Sequence, residues 1–144
     1  MRISLETDYA VRIVQCLANK KTRTSAAEIS KITKVTEKFC LKILRKLVSK
    51  GLVKSYKGVG GGYELNKTPE DITLKEVIET IEGPIVISRC LQDDFNCEHQ
   101  DDCTCYFHKV FYEASKEMAN RFEKVNSIKY CHCLNYKYIA QVHL

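Results

Sequence analysis

Apolar positions recur every three or four residues over residues 6–19, which predicts an amphipathic helix with one buried side. The residues on that side are Ala10, Val14, Leu17 and Ala18. Ser4 or Thr7 can cap the start of this helix, because a hydroxyl oxygen there accepts a hydrogen bond from a free backbone N–H group. The pattern therefore places a first helix close to the N-terminus.

A shorter helix and then a longer one are predicted next. Ser25 and Glu28 form a capping box that opens the shorter helix, which extends to about Ile32. A brief turn then leads to Thr36, which can cap the longer helix. The apolar stripe of the longer helix consists of Phe39, Cys40, Ile43, Leu44, Leu47 and Val48. Gly51 ends this helix, since glycine tolerates the left-handed backbone found there.

A hairpin and a fourth helix complete the first part of the chain. Residues 52–56 and 62–65 have the composition of two short strands, and the glycine-rich residues 57–61 form the loop between them. Residues 73–81 predict a helix. Its buried side consists of Leu74, Val77, Ile78 and Ile81. This order of elements predicts a mainly α fold with a small β wing, a winged helix-turn-helix domain over residues 1–83.

The rest of the chain divides into three predicted segments. Residues 84–105 form a cysteine-rich loop without periodicity, and residues 128–144 form a tail with no clear pattern. Residues 106–127 predict a long C-terminal helix. Its apolar stripe is Phe107, Phe111, Ala114, Met118, Phe122 and Val125. Because this stripe lies outside the winged domain, we expect a second subunit to cover it, as a dimerisation helix; the alternative is that it folds back on its own domain.

Charge is distributed unevenly along the chain. The net charge is +5, but residues 1–60 carry +10, residues 61–105 carry −8 and residues 106–144 carry +3. A basic first part predicts a polyanionic partner for that part, against the alternative of a merely solvated basic surface. No apolar run approaches the roughly 18 residues needed to span a bilayer, and the N-terminus lacks the pattern of a signal peptide. We therefore expect a cytoplasmic protein that does not bind a membrane.

The polar face of the third helix predicts a DNA-reading surface. A recognition helix buries one face and presents the other to the major groove, where lysine donates to guanine O6 and N7 or to a phosphate. The glycine loop is the wing, which follows the DNA backbone or minor groove; without a Gly-Lys-Ser/Thr ending it does not match a nucleotide-binding loop. The residues predicted to face a double-stranded DNA operator are Thr36, Lys38, Lys42, Arg45, Lys46, Tyr56, Lys57 and Gly60.

A second group of candidate functional residues lies in the cysteine-rich loop. Cys90, Cys97 and Cys103 are separated by six and five residues, and Cys105 and His108 follow. Structural zinc sites usually pair ligands across two to four residues, which disfavours a zinc ribbon. Several thiolates on a flexible loop can instead hold an iron–sulphur cluster. The neighbouring carboxylates oppose thiolate formation, so they hinder a simple thiol switch more than a cationic metal site.

These residues resemble the Rrf-two family of bacterial regulators, which includes IscR-like and NsrR-like members. The resemblance covers about residues 1–127. It is carried by Met1-Arg2-Ile3 with Asp8-Tyr9-Ala10-Val11-Arg12, by Phe39 through Gly51-Leu52-Val53, by Lys57-Gly58-Val59-Gly60-Gly61-Gly62-Tyr63, and by Cys90, Cys97 and Cys103. The glycine wing and the three-cysteine loop are specific in combination, whereas either alone is a weak signal.

The resemblance implies a homodimer in which three loop cysteines hold a [2Fe–2S] or [4Fe–4S] cluster. In IscR-like members the fourth ligand is a histidine shortly after the last cysteine, which His108 resembles. In NsrR-like members it is an aspartate near the start of the first helix of the other subunit, which Asp8 resembles. The chain departs from the family at the third cysteine, because Cys103 keeps the spacing from Cys97 while Cys105 keeps the spacing to His108. Cys103 is slightly favoured over Cys105 as the third cysteine ligand.

The resemblance implies a sequence-specific transcriptional regulator, expected to be a repressor, whose cluster senses nitric oxide, oxygen, redox state or iron status. The alternative is a cluster-free regulator of the same fold, controlled by cysteine oxidation or by a partner protein. A cluster-bearing electron-transfer enzyme is a third class. The chain shows no Ser–His–Asp, paired-carboxylate or nucleotide motif, so we expect no enzyme. Cys131 and Cys133 match nothing in the family pattern.

Overall fold

Hydroxyl side chains cap the first three helices at the positions that the sequence indicates. The computed structural model describes residues 2–95 and 105–126. The helices are α1 (Leu5–Lys20), α2 (Ala26–Thr33) and α3 (Glu37–Ser49). Ser4, Ser25 and Thr36 each accept a hydrogen bond from the backbone N–H three residues ahead. Each cap satisfies a donor that the first helical turn leaves free, so the predicted helix starts are confirmed.

The buried core lies between α1, α2 and α3 and is completed by apolar residues from the segments that follow α3. Its largest fully buried side chains include Ile13, Val14, Ile29, Ile43, Leu44, Leu47 and Ile72. Cys16 and Cys40 are also buried, and desolvation raises the pKa of both thiols. They therefore remain protonated and behave as small apolar residues.

The apolar stripe of α3 is narrower than predicted. Cys40, Ile43, Leu44 and Leu47 are buried. Val48 is half-buried and Phe39 is 45% exposed. Phe39 lies in the first turn, where its ring meets the edge of the Tyr9 ring of α1, with 6.1 Å between centroids. The helical spacing thus predicted the side of α3 on which Phe39 lies, but Phe39 lies beside the core and not inside it.

The predicted hairpin is present as β1 (Val53–Tyr56) paired antiparallel with β2 (Gly62–Leu65), with Val53 opposite Leu65. Thr24, in the link between α1 and α2, adds a single bridge to Tyr63: the two residues exchange N–H to carbonyl hydrogen bonds of 3.0 and 2.9 Å. This bridge anchors the base of the wing to the helical core.

Two further helices follow the hairpin. They are α4 (Leu74–Glu82), which begins with a complete capping box of Thr73 and Glu76, and α5 (Tyr106–Glu123). Val77 and Ile78 of the predicted α4 stripe are buried, while Leu74 and Ile81 are half-buried. In the described residues, five helices and a two-stranded sheet form the expected winged helix. Within the same residues, no helix is both long enough and apolar enough to cross a membrane.

The two halves of α5 have different surroundings. The C-terminal half packs against α4: Leu74 N–H donates to the Val125 carbonyl at 2.7 Å, and Lys75 Nζ lies 2.9 Å from Glu123 Oε2. In the middle, the buried Ser115 accepts a hydrogen bond from Ile87 N–H. The N-terminal half is exposed. Only part of the predicted apolar stripe is therefore covered by the chain's own domain.

Candidate nucleic-acid interface and cysteine cleft

The outer face of α3 is basic and open to solvent. Lys38, Lys42 and Arg45 are exposed, and Lys46 is half-buried. Thr36 is also exposed, although its hydroxyl is used as the helix cap. The apolar residues on the opposite face fix the helix on the core, so the cationic face points outward. This arrangement fits a helix that enters the major groove.

Two of these lysines form ion pairs with α1. Lys42 Nζ lies 3.1 Å from Glu6 Oε2, and Lys46 Nζ lies 2.7 Å from Glu6 Oε1. The ion pair with Lys46 holds the pKa of Glu6 below its ordinary value, against the opposing effect of burial and with further help from Lys42. The carboxylate is therefore ionised at neutral pH. Sequence reasoning missed Glu6, because its partners Lys42 and Lys46 lie 36 and 40 residues further along the chain.

The wing has a fixed base and an open tip. Lys57 and Gly60 are exposed at the tip, where Val59 is fully exposed as well. Tyr56 is half-buried at the base, and its hydroxyl donates to Glu64 Oε1 at 2.5 Å. This hydrogen bond is the main cause of the raised pKa of Tyr56. Tyr56 is thus held in place on the strand, while the tip residues are free to meet DNA.

Arg23 is a second residue that sequence reasoning did not single out. Its guanidinium lies over the Tyr56 ring, 3.5 Å from the centroid, and its Nε lies 3.7 Å from Glu64 Oε2. The basic link before α2 was the available signal, but only the fold brings that link beside the wing. Arg23 adds a positive charge at the wing base and holds Tyr56 by a cation–π contact.

A cleft of about 540 Å³ separates α5 from the segment after α4. Cys90 lines it from a 3-10 turn (Arg89–Leu91), and His108 lines it from α5. Cys90 Sγ lies 3.2 Å from Ser88 Oγ. Cys105 is exposed and directly precedes α5. The structure thus brings one predicted thiol ligand and one predicted imidazole ligand to a common cavity.

The other predicted ligands are not brought to this cleft. Asp8 is absent from the cleft lining and forms an ion pair of 2.7 Å with Arg12, one turn along α1. Cys97 and Cys103 lie outside the described residues, as do the tail cysteines Cys131 and Cys133. Over residues 2–95 and 105–126, no three Cys, His, Asp or Glu side chains converge as a metal site.

A thiol and an imidazole are both suitable donors to iron, and the cleft leaves room for a larger inorganic group beside them. The residues that are described therefore fit such a group, with two donors on two different elements. The segment joining these elements contains Cys97 and Cys103. The donor set is thus compatible with the predicted cluster ligands.

The chain is similar to known proteins in both sequence and structure. The family model of Rrf2, described as an iron-dependent transcriptional regulator, matches residues 3–127. Protein aau3 of Rhizobium meliloti is 33% identical over 105 residues, which cover 72% of this chain and 68% of that protein. The structure of CymR, the global cysteine regulator of B. subtilis, superposes with a TM-score of 0.74 at 23% identity and covers 94% of this chain and 99% of that one. T. potens IscR superposes with a TM-score of 0.68 at 23% identity and covers 100% of this chain and 93% of that one.

The match of the family model extends across the winged domain, the cysteine-rich segment and α5. The likeness to CymR and IscR confirms the winged-helix fold. The chain therefore belongs to the Rrf2 family and is a transcriptional regulator, not an enzyme.

Proposed function

We propose that the chain acts as a homodimeric repressor that binds a double-stranded DNA operator through α3 and the wing, and that an iron–sulphur cluster sets its affinity for DNA. The observation that carries the proposal is the cleft shared by Cys90 and His108. It lies beside α5, next to the domain that carries the basic helix. Because the ligand is duplex DNA, the proposal places the protein in the cytoplasm.

The DNA-binding part rests on the exposed cations of α3 and of the wing tip. Lys38 and Lys42, near the start of α3, are placed to donate to guanine bases in the major groove. Arg45, Lys57 and the half-buried Lys46 are better suited to phosphates, which supply affinity without reading sequence. The exposed backbone at Gly60 allows the wing tip to approach the DNA closely.

The dimer rests on the uncovered half of α5. Tyr106 is 74% exposed and Phe107 is 67% exposed, and Val110 and Tyr112 on the same half are exposed as well. So much aromatic surface on one helix marks a protein contact more often than a free surface. The occupant we propose is the same helix of a second copy of this chain.

The proposed cluster ligands are Cys90, Cys97 and either Cys103 or Cys105. His108 is the fourth ligand best supported in a single chain, since it lines the cleft with Cys90. Asp8 of a second subunit is the alternative. When bound, a [2Fe–2S] or [4Fe–4S] cluster supplies iron that reacts with nitric oxide or oxygen and that responds to redox state and iron supply.

A chain of contacts leads from the cleft segment to the DNA-binding face. Glu82, the last residue of α4, accepts hydrogen bonds from Ser4 N–H and from the Thr7 hydroxyl at the start of α1. From α1, Glu6 contacts Lys42 of α3. A change in the segment after Glu82 can therefore move α1 relative to α3, and a coupling of about 1–3 kcal/mol would change DNA affinity roughly 5- to 150-fold.

Anaerobic purification with iron and sulphide analysis and Mössbauer spectroscopy tests the cluster. We expect iron and sulphide in the wild-type protein and their loss in Cys90→Ser and Cys97→Ser, whereas the control Cys131→Ser retains them. Cys103→Ser against Cys105→Ser, and His108→Ala against Asp8→Ala, identify the remaining ligands. Operator DNA selected from random duplexes should bind the cluster-loaded and cluster-free protein with different affinities. A protein without iron, or equal affinities, would contradict the proposal.

The second candidate function is a cluster-free regulator controlled by cysteine oxidation or by a partner protein. The structural likeness to CymR, described as a cysteine regulator, favours it. So does the position of Cys105, which is exposed to solvent-borne oxidants. Under this alternative, the anaerobic protein is colourless. Its DNA affinity then changes on mild oxidation and returns with a thiol reductant, or it changes when a partner protein is added.

A further inference from the structure

One carboxylate contacts two cations on the DNA-binding face. Lys42 and Lys46 are four residues apart, so they lie on the same side of α3 on successive turns. Glu6 reaches both ammonium groups from α1. Lys42 and Lys46 therefore present less positive charge to a DNA phosphate than two lysines without a carboxylate partner would.

The three partners differ in their exposure to solvent. The side chain of Glu6 is 22% exposed, against 54% for Lys42 and 38% for Lys46. Glu6 Oε1 is enclosed and accepts no well-aligned hydrogen bond, so its charge is compensated by the ion pair with Lys46 Nζ at 2.7 Å. Because Glu6 belongs to α1, an ammonium group that moves toward DNA increases its distance from the carboxylate. Such a movement would leave a partly buried carboxylate without its partner, which is unfavourable.

Resting on the proposed DNA-binding role of α3, we propose that Glu6 is a specificity-determining residue that holds Lys42 and Lys46 back from phosphates. On a duplex of arbitrary sequence these lysines gain mainly phosphate contacts, which supply affinity without reading sequence, and those contacts have to compete with Glu6. An operator adds base contacts that a random duplex lacks. Glu6 thus lowers affinity for arbitrary DNA and thereby increases discrimination.

The test is the binding of Glu6→Gln to a short labelled duplex of random sequence, measured between about 50 and 200 mM salt. Glutamine keeps the shape of the side chain and removes its charge. We expect about fivefold tighter binding, and a slope of log affinity against log salt that is steeper by about 0.9 for each additional phosphate contacted. A merely structural role for Glu6 would leave this slope unchanged.

The matched control is Glu123→Gln, which makes the same change in charge and breaks a Lys–Glu pair between Lys75 of α4 and Glu123 of α5. Equal effects of the two substitutions on the affinity for the random duplex, and on its salt dependence, would overturn the proposal. A second control adds Glu6→Gln to a Lys42→Gln/Lys46→Gln protein, where we expect no further change. If the effect persists there, Glu6 does not act through these lysines and the proposal is wrong.

The double variant also separates this proposal from the proposed function. If Lys42→Gln/Lys46→Gln binds the selected operator as tightly as the wild type, the assignment of α3 as the DNA-binding helix is wrong, and the role of Glu6 fails with it. If the double variant binds the operator more weakly but Glu6→Gln binds the random duplex like the wild type, α3 remains the DNA-binding helix and the role of Glu6 alone is overturned.

Discussion

At the scale of single residues, Glu6 makes the stability of the fold depend on pH through its ion pairs with Lys42 and Lys46. Its pKa is lowered by Lys46 and Lys42, so its ionised form is bound more tightly in the folded state than in the unfolded chain. The stability that it contributes is present above the unfolded pKa, at about 4.3, and is lost as pH falls through the lower folded pKa. Glu6 is therefore a source of acid sensitivity.

We expect Glu6→Gln to lower the free energy of unfolding by about 1 kcal/mol or less at neutral pH, as for a solvent-accessible ion pair. The difference from the wild type should shrink as pH falls below about 4, because the wild-type carboxylate is then protonated too. Urea unfolding of the variant and the wild type at neutral and at acidic pH measures the difference in the free energy of unfolding at each pH. A difference that stays constant with pH would show that the ion pairs with Lys42 and Lys46 do not stabilise the fold.

At the scale of elements, the start of α3 depends on one hydroxyl. Thr36 accepts a hydrogen bond from Phe39 N–H, and removing such a cap typically costs about 1 kcal/mol. We expect Thr36→Ala to lower the free energy of unfolding by that amount, whereas Thr36→Ser retains most of the stability. Urea unfolding of both variants tests this. Equal destabilisation by alanine and serine would mean that the threonine methyl group, and not the cap, is the important feature.

The wing depends on a glycine at its base. Gly62 has a φ of +134°, and a Cβ there would lie 2.8 Å from the Thr24 carbonyl oxygen, on the bridge that anchors the wing. Gly58 also has a positive φ, of +83°, but a Cβ there would meet nothing within 4 Å. We expect Gly62→Ala to destabilise the protein by about 2–3 kcal/mol and Gly58→Ala by about 1 kcal/mol. Thermal unfolding measures the loss of stability in both variants. The difference between them gives the effect of the steric contact at Gly62, because the positive φ is common to both positions.

Local patterns predicted the elements, but not the contacts between them. Apolar spacing and capping residues were sufficient to place α1 to α4 and the hairpin, since these signals act within a few residues. The same spacing could not show that Phe39 lies beside the core, because its neighbour Tyr9 is on another helix. Glu6 and Arg23 were missed for the same reason. Each acquires its role only when the fold brings a distant segment next to it.

At the scale of the whole molecule, the sequence predicted that Cys90 and His108 can belong to one site, an assignment that remains a prediction. It did so through the resemblance to a family, because 17 residues lie between them and no local pattern connects them. The fold brings both to the cleft by placing α5 across the segment after α4. The choice between Cys103 and Cys105 remains a prediction, since the spacing fits either residue and Cys103 lies outside the described part of the chain.

The uncovered half of α5 leads to a prediction about assembly. Phe107 is 67% exposed, so Phe107→Ser removes little packing within one chain, whereas it removes a large apolar contact if a second copy covers this helix. We expect the wild-type protein to sediment as a dimer, and Phe107→Ser to dissociate at protein concentrations at least tenfold higher. Val59→Ser, at the exposed wing tip, is the control and should leave the dimer intact.

A dimer with two linked DNA-binding domains binds an operator far more tightly than a single domain does. Phe107→Ser should therefore also bind operator DNA more weakly, while each chain remains folded. A wild-type monomer at these concentrations would show that α5 does not hold two copies together.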